Sequence, residues 1–373
     1  MSSTYTIALD GTDAIATESG WLRSKKWDLT FISLSAIWVP LPFVIFYSLN
    51  LLAPLISGLL RIVGISFTWD TDASRNFVNA LIALFIGGPH MYATYSRTLL
   101  DKGFSRNHKI LLGCSILIPI MVIYLGVYYF QILITIFFFW ASIHILHQIT
   151  YILNCYSTRS KFNASPASNF IDYVVVFSSL YPIAIYKFIH DKFFIGNTKI
   201  LYPDVLKTDF IFYGSLAVFV AGAALFIWKT MIEIREGTAH YPKILLISLT
   251  SVIAFILPAF NNLDVAFQGF NTWHSFQYLG LTVYINQLRH NRGEIGTKFI
   301  DRIFTHGNSW QFYLFNVGLT VMAVFVISFL IYLKPVLGLS FDQCYYIVVL
   351  SFLLVHYLHD HLLFTDMGIL SNA

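Results

Sequence analysis

The chain has 373 residues, 57% of them hydrophobic and only 11% charged, whereas a soluble domain carries about 25% charged residues. That composition excludes an ordinary soluble protein and implies one that crosses a membrane several times. A formal net charge of +4 gives no sign of a nucleic-acid partner, and Cys114, Cys155 and Cys344 lie in or beside apolar stretches, form no CxxC pair and suggest no disulfide framework.

In chain order, residues 1–27 begin polar, lack the shape of a signal peptide and read as a short cytoplasmic tail. A spanning helix needs roughly 20 mostly apolar residues. Ten stretches are candidates: 28–51, 77–98, 109–129, 131–156, 169–189, 208–231, 243–260, 265–288, 311–333 and 343–364. Residues 52–67 contain Arg61 and two glycines, precede Trp69 and Asp70, and read as a re-entrant or interfacial piece. The expected architecture is therefore an all-α polytopic bundle of about ten transmembrane helices. It forms one domain over 28–366, followed by a short tail, 367–373. No internal repeat or linker divides it.

Lys and Arg in short loops set orientation. Arg23, Lys25 and Lys26 precede the first span, and Arg97, Lys102, Arg106 and Lys109 follow the second. Arg159 and Lys161, then Lys229, Arg235 and Lys243, then Arg289, Arg292, Lys298 and Arg302 recur in every other loop. These loops are expected to be cytoplasmic, as are both termini. Lys187, Lys192, Lys199 and Lys207 on the opposite side run against the rule without reversing it. A multi-pass protein of a plasma or inner membrane is implied.

Of twelve histidines, His108, His190, His240, His290 and His306 fall in loops or at span ends and receive no role. The other seven lie inside spans: His90 in "FIGGPHMYATYSR", His144 and His147 in "FWASIHILHQITY", His274 in "NTWHSFQYLG", and His356, His359 and His361 in "HYLHDH". Polar groups are costly in lipid, face the bundle interior and mark function. A single one reads as a buried histidine bonded to a neighbouring helix. These are correlated: His90, His144 and His356 each come thirteen residues into their span and His274 nine, so their depths agree within roughly 6 Å at 1.5 Å per residue. All four spans run in the same direction. Pro89 removes a helix donor, and the preceding Gly87 and Gly88 permit close approach, so a kink there aims His90 inward.

Imidazole suits iron, copper, zinc and nickel. A histidine-rich site with few carboxylates and no paired cysteines fits non-haem iron best, as one or two ions, with copper and zinc as alternatives. His90, His144, His147, His274, His356 and His359 are the candidate ligands. Asp360, at i+4 from His356, is either a ligand or an acceptor that orients a ligating imidazole through its other N–H. Tyr278, Gln277, Gln148, Tyr92, Tyr151 and His361 are candidates for the surrounding polar layer, with ordinary interhelical hydrogen bonding as the plainer reading. The run "IFFFW" beside His144 reads as helix packing or as the wall of a pocket for a long apolar substrate.

In order and placement, "GGPH", "SIH", "HSFQY" and "VH" resemble four elements of the Brp/Blh family of membrane β-carotene 15,15′-dioxygenases: G-x-P-H-G-A-x-D, S-I-x-H, H-S-x-x-H and a late P-H. The resemblance implies an iron-dependent enzyme that cleaves a carotenoid with O2, with His90, His144 and His274 as iron ligands. It covers about thirty residues, and the chain departs from it. The G-A-x-D continuation is missing, and Tyr278 stands where the second histidine of H-S-x-x-H belongs. His147, His356 or His359 would then supply the missing ligand.

The expected function is a membrane-embedded metal-dependent oxidoreductase of the oxygenase type. It would use O2 to cleave or oxidise a lipophilic small molecule (a carotenoid, an isoprenoid or an acyl chain), with any electron donor undefined. The alternatives are a proton- or metal-coupled transporter using the same histidines, and bis-histidine haem ligation, which would leave five of the seven histidines unexplained.

Overall fold

The computed structural model describes residues 20–160, 165–305, 309–365 and 368–371. Residues 1–19, Lys161, His306 and parts of the 367–373 tail lie outside the described residues. The fold is all-α. Helices α1 (Lys25–Ile62), α2 (Thr71–Ser96), α3 (Lys109–Tyr128), α4 (Phe130–Arg159), α5 (Pro166–Ile189), α6 (Asp209–Arg235) and α7 (Tyr241–Ala259) are followed by α8 (Leu263–Asn291), α9 (Lys298–Thr305), α10 (Ser309–Leu337) and α11 (Phe341–Leu363). Among the described residues, nine of these helices, all but α8 and α9, are long and apolar enough to cross a membrane. The chain is an integral multi-pass membrane protein.

Residues 52–62 do not form a separate re-entrant piece. They continue the helix begun at Leu41, through Pro54, and the returning chain ties back where the Trp69 amide donates to Ser57 Oγ at 2.8 Å. Elsewhere the only extended structure among the described residues is a two-residue antiparallel ladder, Phe194–Ile195 with Thr198–Lys199.

Helix α8 is as long as a span yet too polar to count as an apolar one, because protein rather than lipid surrounds it. Asp264, Thr272, His274, Ser275, Gln277, Tyr278, Thr282 and Asn286 are all buried on it. Its glycines let neighbours come close: a Cβ at Gly269 would sit 2.7 Å from the Val39 carbonyl oxygen, and one at Gly280 would meet the Phe31 ring. Helix α1 departs from α-geometry at this contact, with a wide turn at Leu29–Ser33 and a tight one at Leu34–Trp38. The Ile32 carbonyl accepts from Trp273 Nε1 at 3.1 Å and Gln277 Nε2 at 2.8 Å. Side chains of α8 thus bond to a backbone group that the regular ladder would otherwise hold.

Helix α2 is broken in the same manner. Pro89 cannot donate to the Phe85 carbonyl four residues back. A wide turn spans Ala83–Gly87, and Phe85 O accepts instead from the Tyr313 hydroxyl of α10 at 2.7 Å. Gly88 brings α10 close: a Cβ there would lie 2.3 Å from Thr320 Cγ2.

One set of charges inside the spans is paired with opposite charge. Asp172 of α5, fully buried, receives Lys229 of α6 at 2.5 Å and Lys243 of α7 at 2.7 Å. An unpaired ion at that depth would cost several kcal/mol.

Candidate metal centre

Four helices each place one imidazole at a common point. His90 comes from α2 beyond the Pro89 break, His144 from mid-α4, His274 from mid-α8 and His356 from α11. Ring centroids are 4.8 Å apart for His90–His356, 4.9 Å for His144–His356, and 5.1 Å for both His90–His274 and His144–His274. All four are buried, His356 completely. Ligand atoms of His90, His274 and His356 fall within 4.8 Å of one another, as do those of His144, His356 and Asp360.

The donor atoms at this point lack partners. His90 Nε2, His144 Nε2, both ring nitrogens of His274, His356 Nε2 and Asp360 Oδ2 are buried without a hydrogen bond. Buried polar atoms are rarely orphaned, and six from five residues converge here. The tautomers follow from the outer ring nitrogens. Thr94 Oγ1 and the Tyr278 hydroxyl both donate to Asp360 Oδ1, at 3.0 Å and 2.7 Å. Thr94 Oγ1 also stands 2.5 Å from the Tyr278 oxygen; whether Asp360 Oδ1 or the Tyr278 oxygen takes the Thr94 proton, Thr94 Oγ1 is left to accept from His356 Nδ1–H at 2.6 Å. Ser275 Oγ donates to Asn271 Oδ1 at 3.3 Å and so accepts from His90 Nδ1–H at 2.9 Å. In both histidines Nε2 therefore keeps its lone pair and turns it toward the centre, as a metal-ligating imidazole must.

Comparison of the chain with family models, with characterised proteins and with solved structures finds no match. The site is therefore read from its own chemistry. Neutral imidazoles with one carboxylate suit a divalent first-row transition metal, and the orphaned atoms fit that group. The pair of triads shares His356, so the donor set can hold one ion or two adjacent ones.

The remaining candidates lie around or apart from this point. His359 is buried but turned away, with Nε2 against Ser115 Oγ at 2.8 Å and Nδ1 against Thr98 Oγ1 at 3.1 Å. His147 is half-buried and faces His361, with ring centroids 5.0 Å apart. Gln148 and Gln277 hold the backbone of α8: Gln148 Nε2 donates to the His274 carbonyl and to Gln277 Oε1, each at 3.1 Å. Tyr151 stacks on Phe364, whose ring lies 5.9 Å from that of His144. Tyr92 sits against Tyr95 and Phe352, away from the four imidazoles.

Four contributors were not among the candidate site residues, although Ser275 lies within the quoted "HSFQY" element. Thr94 and Ser275 are the hydroxyls that fix two tautomers. Tyr357 stacks on His144 at 4.1 Å with 24° between planes. Arg97, buried just past the end of α2, is a cation on the same chain segment as His90 and Thr94. Only spacing could have singled them out: Thr94 is one helical turn beyond His90, and Ser275 and Tyr357 each follow a cluster histidine directly.

Proposed function

We propose that the chain is a membrane-embedded non-haem iron oxygenase that uses O2 to oxidise or cleave a lipophilic molecule. The observation that supports it most is the convergence of unpartnered imidazole nitrogens from four helices, two of them locked by hydroxyls in the ligating tautomer. We read α8 as a tenth span and both termini as cytoplasmic, from the loop charges. The resemblance of the four histidine elements to Brp/Blh dioxygenases supports the same chemistry.

His90, His144, His274 and His356 would hold the iron, with Asp360 either as a fifth ligand or as the base of the Thr94–Tyr278 network. Bound there, iron would supply the activation of O2 that no side chain can perform. The chain's own residues do the rest. Thr94, Tyr278 and Ser275 fix the ligand orientations, which the backbone alone would leave free to rotate. Tyr357 and Phe364 wall the centre with aromatic surface and keep water out. Tyr278, donating to Asp360, holds a proton within reach of the centre.

The test is metal content per chain by elemental analysis on detergent-purified protein, for wild type and for His90→Ala, His144→Ala, His274→Ala and His356→Ala. One or two tightly held ions, lost in each variant, are expected. No stoichiometric metal after anaerobic reconstitution with Fe(II), Zn(II) and copper would sink the reading and leave proton-coupled transport as the better use of the same histidines.

A further inference from the structure

A cavity of about 260 Å³ lies among α2, α8, α10 and α11. Its inner end reaches His90 and Tyr357, and its other end reaches Arg75, Asp264 and Asp342. Those three form an ionic cluster, with Arg75 Nη1 at 3.1 Å from Asp264 and Nη2 at 3.5 Å from Asp342. The Phe194–Lys199 hairpin covers it: a Cβ at Gly196 would lie 2.2 Å from Arg75 Nη1, and Ile195 lines the cavity.

Helices α2, α8 and α11 each carry one member of the ionic cluster and, further along, one histidine of the metal centre: Arg75 and His90, Asp264 and His274, Asp342 and His356. Fifteen, ten and fourteen residues separate the three pairs, which at 1.5 Å per residue sets the two ends about 15 to 22 Å apart. The wall between them is apolar, including Ala83, Phe137, Phe267, Leu350 and Leu353. Val324 and Phe341 belong to the lining and are also exposed on the outer surface, so the cavity reaches the lipid-facing side of the bundle.

The polar end has a net preference. Three carboxylates, Asp72, Asp264 and Asp342, stand on one guanidinium, which disfavours an anion. One turn along α2 from Arg75, Asn79 lines the cavity with 8% of its surface exposed, and its Oδ1 has no hydrogen-bond partner. Arg75 Nε is also without a hydrogen bond, with Asp72 Oδ1 at 3.6 Å, so the site suits a head group that can both donate and accept, and the excess negative charge favours a cationic or neutral one over an anion.

We infer that this cavity binds a single-chain amphiphile with an amine or hydroxyl head group. The head sits at Asn79 and the Arg75–Asp264–Asp342 cluster, and the chain runs to His90. The span between the ends, about 15 to 22 Å from the helical rise, is the length of a long extended alkyl chain. The oxidation of such a chain at its far end rests on the oxygenase reading; the binding itself does not.

The experiment measures equilibrium binding of radiolabelled octadecylamine, octadecanol and octadecanoate, with octylamine as the short control, to the purified full-length protein in detergent, with and without prior chelation of metal. Octadecylamine and octadecanol should bind at one per chain, octadecanoate at least about tenfold more weakly, the scale of one hydrogen bond to a charged group, and octylamine more weakly still for want of buried methylenes. Asn79→Leu should weaken the amine by about tenfold, and Ala323→Trp, which fills the cavity, should abolish binding, while both variants keep helical circular dichroism. Equal binding of octadecanoate, or binding indifferent to Ala323→Trp in a folded protein, would overturn the inference. Binding that persists after chelation would uphold the cavity independently of the metal, whereas a chain that takes up no metal at all yet binds octadecylamine would uphold the cavity and refute only the oxygenase.

Discussion

His356 donates from Nδ1 to Thr94 Oγ1 across 2.6 Å, and that hydroxyl is the point at which α2 sets the ring of α11. Thr94→Val removes the acceptor while keeping the shape, and Thr94→Ser keeps it. Losing such an outer partner weakens metal binding by about 10- to 100-fold. Competition against a chelator of known affinity should show that loss in the valine variant and near-wild-type affinity in the serine variant.

His147 and His359 lie apart from the four central histidines and are expected to differ from them in function. His147→Ala should leave metal stoichiometry unchanged. His359→Asn should also retain metal, yet lower thermal stability, because Ser115 and Thr98 lose buried hydrogen bonds worth roughly 1 kcal/mol each. A drop in metal content in either variant, measured beside His356→Ala, would contradict this division.

Gly88→Ala forces α10 away from α2. The added Cβ would meet Thr320 Cγ2 at 2.3 Å and the Ala83 carbonyl oxygen at 2.6 Å, and overpacking of this kind costs about 1–3 kcal/mol. Thr320→Ala in the same chain should restore part of the melting temperature and no more, since the backbone contact remains.

Outside the spans, His240 supplies a pH dependence. Burial pushes it down to about 4, with the Lys243 charge acting in the same direction. The unfolded chain binds this proton near the ordinary histidine value and the folded chain does not. Stability is therefore full above about pH 6.5 and falls toward pH 4, by at most roughly 1.4 kcal/mol per pH unit from this one group. Melting temperature against pH should be flatter over that window in His240→Asn.

The apolar helices were legible because lipid and the bundle interior demand long apolar runs, and the depth of His90, His144, His274 and His356 followed from counting along them. Which of the extra histidines turn inward was not. His359 lies three residues from His356, an offset of about 60° around the helix, and that is enough to aim it at Ser115 on α3. Helix α8 was legible as a span only through its aliphatic residues. Its role as a largely buried helix depends on which neighbours surround it, and no periodicity records that. Thr94 and Ser275 act across helices more than 180 residues distant in sequence from their partners, so only the folded chain shows them as site residues.

The wide turn at Ala83–Gly87 also sets a phase. Upstream of it, α2 offers Arg75 and Asn79 to the cavity; downstream, it offers His90 and Thr94 to the histidine cluster. A turn of this kind holds one residue more than its α-helical counterpart, and each residue rotates the helix by about 100°. Removing a single residue there would leave a helix still long and apolar enough to cross a membrane, but with His90 swung off the other three imidazoles. The helix would keep its place in the bilayer and lose its share in the chemistry.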